Sequence, residues 1–265
     1  MEHKNLHSYD NYELFTDNDL ESNYRESKLL SSEQHVNFIK KKFENKKINV
    51  VELGSGNSKT LFNLSLSNVL NHGYGFEISK SRHRFAQKWK EDLKIQNVEN
   101  ILDDFMNIKK HNVKNIDLFF IVDIAFQFCE PIKQGSDKKL LFEIYDILNI
   151  DGKLILEIDG CGKIINSTKI NNKIWEEFDD KDPWQFSLWD CKYNEDLSFL
   201  YWDKTFINRN DNSKCYSSVV LKIYKKNEIT NLLKEIGFKN INLYSDWDLS
   251  EYKDDYGNYI IVCEK

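Results

Sequence analysis

The chain has 265 residues, 40% of them apolar and 14% aromatic, enough to bury the core of one large domain or of a domain with a substantial appendage. With 30% charged residues and only 2 prolines it is no low-complexity protein, and a net charge of −6 with a pI near 5.6 gives no support to a general binder of nucleic acid or of anionic membrane. Five widely spaced cysteines (Cys129, Cys161, Cys191, Cys215, Cys263) contain no C-x-x-C pair, so a metal finger or disulfide framework fails and reduced thiols fit better.

The N-terminal "MEHKNLHSYDNYELF" has no apolar run of signal-peptide length, and no window approaches 18 uninterrupted apolar residues; the expectation is a cytoplasmic protein without a membrane span or bound metal. Residues 1–25 read as an irregular or short-helical arm. A helix is expected over Ser27–Phe43, where Val36, Ile39 and Phe43 recur at helical spacing and "SSEQ" (Ser31–Gln34) offers a cap. The basic cluster Lys40–Lys42, Lys46 and Lys47 reads as a solvated face.

Strands then alternate with helices. The strand candidates are Ile48–Leu53, Tyr74–Ile78, Val98–Leu102, Ile116–Ile124 and Lys153–Ile158, with helices over Lys59–Asn71, Ser79–Ile95 and Asp137–Leu148 between them. That order implies βαβ units and a parallel sheet. "NIDGK" (Asn149–Lys153) reads as a turn into the fifth strand. After Gly162 comes an aromatic- and acid-rich stretch, Trp175–Trp202, followed by extended segments Phe199–Asn208 and Tyr216–Tyr224. A helix over Lys226–Ile236 is stopped by Gly237, and Asn240–Tyr244 and Tyr259–Cys263 can pair as antiparallel edge strands.

The chemistry begins at "VVELGSGNSKT" (Val50–Thr60). Two glycines after a strand are by themselves as readily a turn as a ligand cradle. The functional reading gains from Glu77, which ends the second strand 25 residues after Glu52, where a carboxylate can accept both hydroxyls of a ribose. "LDDF" (Leu102–Phe105) adds a carboxylate at the third strand end: Asp104 (or Asp103) can accept from an exocyclic amine while Phe105 or Ile78 covers a ring. Lys59 stands where a dinucleotide fingerprint needs its third glycine, and no phosphate loop is present. A nucleoside carrying an amino-acid tail fits better than a pyrophosphate. Glu52 as a helix cap and Glu77 as a plain strand-end acid remain open alternatives.

"VVELGSGNSKT", "GFEIS", "LDDF", "IDLFFIVDIAFQF" and "ILNIDGKLILEI" occur in this order, and by them the chain resembles the class I S-adenosylmethionine-dependent methyltransferases, of the small-molecule type, over roughly residues 29–158. The tail, Ile223–Asp246 and then Tyr259–Lys265, resembles the ending of small-molecule members. The resemblance implies an α/β, Rossmann-like, doubly wound fold: a mostly parallel seven-stranded sheet with an antiparallel C-terminal strand and an aromatic-rich lid. It also implies S-adenosylmethionine as cofactor. Glu52, Gly54, Ser55, Gly56 and Asn57 would line its methionine moiety, Glu77 would hold its ribose, Asp104 and Phe105 would meet its adenine with Ile78 able to cover the ring, and Asp123, or the backbone just after it, would sit near its amino group and sulfonium.

The expected organisation is an arm and helix over residues 1–45 covering the active site and a methyltransferase domain over 46–265, with an insertion at 163–215 as substrate lid. The acceptor, a sugar, sugar nucleotide, amine or other polar metabolite methylated on O or N, would meet Tyr12, Phe128, Trp184, Trp189 and Tyr201, whose rings with interleaved acids suit a polar or cationic molecule. No histidine stands at an obvious site, and Glu130, Asp190 and Asp203 are the candidates for a general base. The alternatives are a protein or RNA methyltransferase, with nucleic acid disfavoured by the acidic charge, and a non-catalytic cofactor-binding module. The oligomeric state expected is a monomer or homodimer.

Overall fold

The computed structural model describes residues 13–160, 171–253 and 257–265. Helix α1 runs Asn18–Lys42 and so begins nine residues earlier than its apolar spacing suggests. Asp17 starts it, its carboxylate accepting from the amides of Asp19 (2.8 Å) and Leu20 (3.0 Å), and Asp19 and Glu21 face the positive helix end. Ser31 and Ser32 are interior, their hydroxyls bonding back to the carbonyls of Lys28 and Leu29, so "SSEQ" caps nothing. Tyr12, expected at the acceptor, lies outside the described residues, as does Cys161.

From Ile48 the chain alternates as expected: β1 (Ile48–Leu53), α2 (Lys59–Leu66), β2 (Leu70–Glu77), α3 (Lys80–Asp92), β3 (Val98–Leu102), a 3-10 turn (Phe105–Lys110), β4 (Ile116–Ile121), a second 3-10 turn (Ala125–Phe128), the short α4 (Cys129–Ile132), α5 (Ser136–Ile147) and β5 (Leu148–Ile158). Helix α2 stops early because Asn68 takes a left-handed φ of 59°, which frees Leu70 to open β2. "NIDGK" lies inside β5: Ile116 of β4 pairs with Leu148 and Leu118 with Lys153, so the residues between bulge out around Asp151 (φ 62°).

After β5 come β6 (Asn171–Glu177), β7 (Trp184–Tyr193), β8 (Phe199–Asn208), β9 (Lys214–Lys222), α6 (Lys226–Ile236), β10 (Lys239–Tyr244) and β11 (Tyr259–Glu264). The main sheet has seven strands in the order β10-β11-β5-β4-β1-β2-β3. Strands β1 to β5 pair in parallel, and β11 lies antiparallel between β5 and β10. Only β10 of the terminal pair is therefore an edge; β11 is an interior strand, as its unbroken apolar run Tyr259–Cys263 requires. Residues of β4 alternate between two cores: Phe119 and Ile121 pack with α5 and α6, and Leu118 and Phe120 with α1, α2 and α3.

Strands β6 to β9 form a separate four-stranded antiparallel sheet. Its inner face (Cys191, Leu200, Trp202, Val219, Leu221) packs on Ile124 and Phe128, just beyond β4. Gln127, fully buried, ties the two sheets: its Nε2 donates to the carbonyls of Asp159 (3.1 Å) and Lys222 (2.9 Å), and its Oε1 accepts from the Asp159 amide (2.8 Å). Gln127→Leu keeps the bulk but leaves these buried groups unpaired. It is expected to lower unfolding free energy by about 1–3 kcal/mol for each group that water cannot reach, read by denaturant titration.

Candidate active site

A cavity of about 510 Å³ opens at the C-terminal ends of β1, β2, β4 and β5, beneath the inserted sheet. This is the crevice where open α/β sheets bind their ligands. Glu52, Gly54, Ser55, Gly56, Asn57, Glu77, Ile78, Phe105 and Asp123 all line it, joined by Phe128 and Trp184.

The loop after β1 is shaped by two left-handed glycines, Gly54 (φ 72°) and Gly56 (φ 56°). A Cβ on Gly54 would sit 2.8 Å from that of Ala125, and one on Gly56 would sit 3.1 Å from the Arg82 guanidinium. Glu77 locks the loop: one carboxylate oxygen accepts from the Gly56 amide (2.8 Å), the other from the Ser79 amide (2.7 Å). Each oxygen keeps a lone pair, so the oriented carboxylate can also accept from a diol. Helix α3 follows, with the Ser79 hydroxyl accepting from the Arg82 amide. The chain before α1 folds over the rim of the loop, where buried Glu13 accepts from the Tyr24 hydroxyl (2.6 Å) and Asn57 Nδ2 (2.7 Å) and lies 3.6 Å from Arg82.

Deeper in, Glu52 is buried, and its Oε2 has no hydrogen-bond partner among the described residues. Burial pushes its carboxyl up to about 8, with Lys59 opposing. Asp123 and Ile124 both have positive φ (52° and 63°), a strained turn that aims the Asp123 amide at Glu157 Oε2 (3.0 Å). The Asp123 side chain is exposed and opens onto the cavity. Desolvation works to raise it, but Lys59 at 3.8 Å, His35 and Arg82 outweigh that and hold it low. Burial first, then the Asp123 charge, lifts Glu157 to about 7.

Several expected residues stand elsewhere. Asp104 does not line the cavity; its Oδ1 caps the following 3-10 turn through the Met106 amide (2.9 Å), while Asp103 is held by His111 (2.8 Å) and Asn107 (2.8 Å). Glu130 accepts from the Gly135 amide (2.6 Å), away from the cavity. Strand alternation puts Asp190, Tyr201 and Asp203 on the face of the inserted sheet opposite Cys191, Trp202 and Lys204; Asp203 accepts from the Ser218 hydroxyl, and Lys192 lies 3.8 Å from Asp190. Trp189 faces inward but behind Lys204, so it too is not a lining residue.

Tyr24 of α1 and Asp182 of the aromatic- and acid-rich stretch also line the cavity, and other lining residues were not expected: Lys28 from α1, Arg82 from α3, Glu157 and Asp159 at the end of β5, and Lys204 and Phe206 from β8. Glu157 and Asp159 end a strand just as Glu52 and Glu77 do, so the same rule applied to "LEIDG" finds them. The residues fit a nucleoside with an amino-acid tail: an unpartnered buried carboxylate oxygen at Glu52, two close-approach glycines, a fixed diol acceptor at Glu77 and the Phe105 and Ile78 side chains for a ring.

Residues 44–237 match a protein-family model described as a methyltransferase domain. Among solved structures, the fold is similar to an S-adenosylmethionine-dependent methyltransferase from Clostridium acetobutylicum ATCC 824 (TM-score 0.74, 16% identity, 88% of this chain and 91% of that one). It is also similar to CalS10, an amino pentose methyltransferase from Micromonospora echinaspora (TM-score 0.61, 11% identity, 95% of this chain and 99% of that one). Among curated proteins the chain is 26% identical over 226 residues to the DNA repair protein RecO of Mycoplasma mycoides subsp. mycoides SC, spanning 80% of this chain and 82% of that protein.

Proposed function

The chain belongs to the methyltransferase-domain family as an S-adenosylmethionine-dependent enzyme of the class I fold, and we propose that its acceptor is a small polar metabolite methylated on oxygen or nitrogen. The observation that carries this is the single cavity that the donor residues share with an aromatic and charged far wall. Phe128, Phe178, Trp184 and Phe206 close that wall, with Lys28 and Asp182 beside them at 3.9 Å. Such a space suits a molecule of metabolite size held by a few polar groups. The likeness to an amino pentose methyltransferase agrees with it.

The bound cofactor supplies a methyl carbon on a sulfonium, open to in-line displacement, so the protein's task is orientation and exclusion of water. Glu77 would hold the ribose hydroxyls, Ile78 and Phe105 the adenine, and Glu52 with the Gly54–Asn57 loop the methionine tail. The name of the Mycoplasma relative raises a role on DNA, which the net charge of −6 and the acidic lining (Glu157, Asp159, Asp182) oppose.

A pH dependence follows from the buried acids. In the donor-free protein Glu52 and Glu157, raised to about 8 and about 7, hold protons near neutrality. A ligand carrying an ammonium and a sulfonium favours their ionised forms, so binding releases protons. Affinity is expected to rise between pH 6 and 8.5, by up to about tenfold per pH unit for each proton released. Calorimetry in buffers of different ionisation heat measures the release, and Glu52→Gln should reduce it; binding that neither releases protons nor varies with pH would contradict the assignment. By the same shifts, carboxyls raised above their ordinary 4.5 make the donor-free protein lose stability as pH climbs from there toward 8.

The acceptor class is tested by transfer of labelled methyl to separate pools of amino sugars and sugar nucleotides, amines, phosphorylated metabolites, RNA and protein. Label in a small-molecule pool is the expected result. Label in RNA or protein alone would overturn the reading.

A further inference from the structure

The inserted sheet sends one lysine into the cavity. Lys204 on β8 lines it, with Nζ 3.6 Å from the ring centroid of Trp189 and 3.8 Å from that of Trp202. Trp189 is its cross-strand partner on β7, Trp202 precedes it by two on the same strand face, and Ser217 stands opposite on β9. Ser217 Oγ and Trp202 Nε1 are buried without hydrogen-bond partners among the described residues. Those residues give Lys204 no ion pair either. The groups that act on its charge are Glu176 of β6, the Cys191 thiol of β7 and Asp159 beyond β5; burial outweighs all three and brings the amine down to about 8.

Most other ionisable groups around the cavity are committed, and Glu52, whose Oε2 has no partner among the described residues, lies at the end of β1 on the donor side. Glu77 takes two backbone amides, Asp123 faces Lys59, Glu157 takes the Asp123 amide, and Lys28 lies beside Asp182. No histidine is among the described lining residues. The indole pair that could have recognised a cationic acceptor is already filled, by Lys204 itself.

We propose that Lys204 is the base that takes the proton of the methyl acceptor, an inference that rests on the small-molecule reading above. The acceptor oxygen or nitrogen forms its bond to the donor's methyl carbon. The carbon–sulfur bond breaks with its electron pair staying on sulfur, and the acceptor's proton passes to the lone pair of the neutral Lys204 amine. The ammonium so formed lies between two indole faces, which stabilise a cation where water is scarce. A base whose proton affinity sits near working pH is the efficient kind.

Two readouts test this. The first needs no acceptor: in protein labelled with ¹³C at lysine Cε, one resonance missing from Lys204→Gln should titrate with a midpoint near 8, and a midpoint with the bulk lysines above 10 would overturn the proposal. The second uses an acceptor from the screen. Lys204→Arg keeps the cation but cannot serve as a base, and is expected to lower kcat at least about 100-fold. Acceptor KM should stay within about threefold, and the rise of kcat/KM with a midpoint near 8 should vanish. Unchanged donor affinity in both variants confirms that they fold. Activity retained in Lys204→Arg, or a loss confined to KM, would make Lys204 an anchor for an anion and overturn the base. A screen without any small-molecule product sinks the acceptor reading while leaving the midpoint near 8; a midpoint above 10 sinks the base alone.

Discussion

Glu77→Ala is expected to weaken S-adenosylmethionine binding at least about 100-fold, because the side chain serves both the ligand and the loop that receives it. Hydrogen bonds to a charged group contribute about 1.5–3 kcal/mol each, and two to a ribose diol suffice for that factor. The same carboxylate fixes the amides of Gly56 and Ser79, so its removal also frees the glycine loop and the start of α3. Glu77→Gln should fall between the two: its oxygen can keep one amide, but its NH2 then opposes the other. Calorimetric titration measures the effect, and binding within about fivefold of wild type in Glu77→Ala would remove the ribose role.

Gly54→Ala is expected to cost about 2–6 kcal/mol of stability, with loss of donor binding. Holding a non-glycine residue at φ 72° is strained by about 1–3 kcal/mol. The new methyl would also stand 2.8 Å from Ala125 Cβ, an overlap relieved only by shifting backbone, at a further roughly 1–3 kcal/mol. Ala125 directly follows the strained Asp123–Ile124 turn, so such a shift is transmitted to the floor of the cavity. Gly135→Ala is the control: φ there is 77°, but a Cβ meets nothing within 4 Å, so only the conformational cost applies. Equal melting temperatures for the two variants would show that contact with Ala125 carries no weight.

The alternation of apolar strands with amphipathic helices made the parallel sheet legible, since burial on both faces leaves runs such as "IDLFFI" that few other contexts require. The start of α1 lies outside its apolar periodicity, because its first two turns are held by the Asp17 cap and by polar and aromatic contacts to α3. Lys88 and Arg25 both pair with Glu21, Arg25 also reaches Asp92 at 2.6 Å, and Tyr24 packs on Phe85. Of these, only the Glu21–Arg25 pair is local, one helical turn apart, and it adds nothing to an apolar pattern; Lys88, Asp92 and Phe85 come from α3. "NIDGK" was misleading for a different reason: a left-handed aspartate and a glycine serve a strand bulge as well as a turn.

At the site, the residues legible in sequence were those tied to backbone geometry at strand ends, Glu52, Gly54, Gly56 and Glu77, which need only the strand boundary to be placed. Those in the insertion depended on which face of each strand looks inward. A shift of one residue separates Trp202 and Lys204 from Tyr201 and Asp203, and composition does not say which pair faces the cavity. Lys204 is not legible in the sequence, because an isolated lysine in an alternating strand reads as solvent-facing. Trp202 shares its strand face, but Trp189 comes from β7 and meets it only once β7 and β8 are in register.

The central claim, that the cavity at the ends of β1 and β2 holds the methyl donor, is tested most directly by equilibrium dialysis of the wild-type protein against labelled S-adenosylmethionine. The account predicts one equivalent bound per chain, displaced by the demethylated product and by neither ATP nor NAD. No retained label at millimolar donor, or label displaced by ATP or NAD as readily as by the demethylated product, would contradict it.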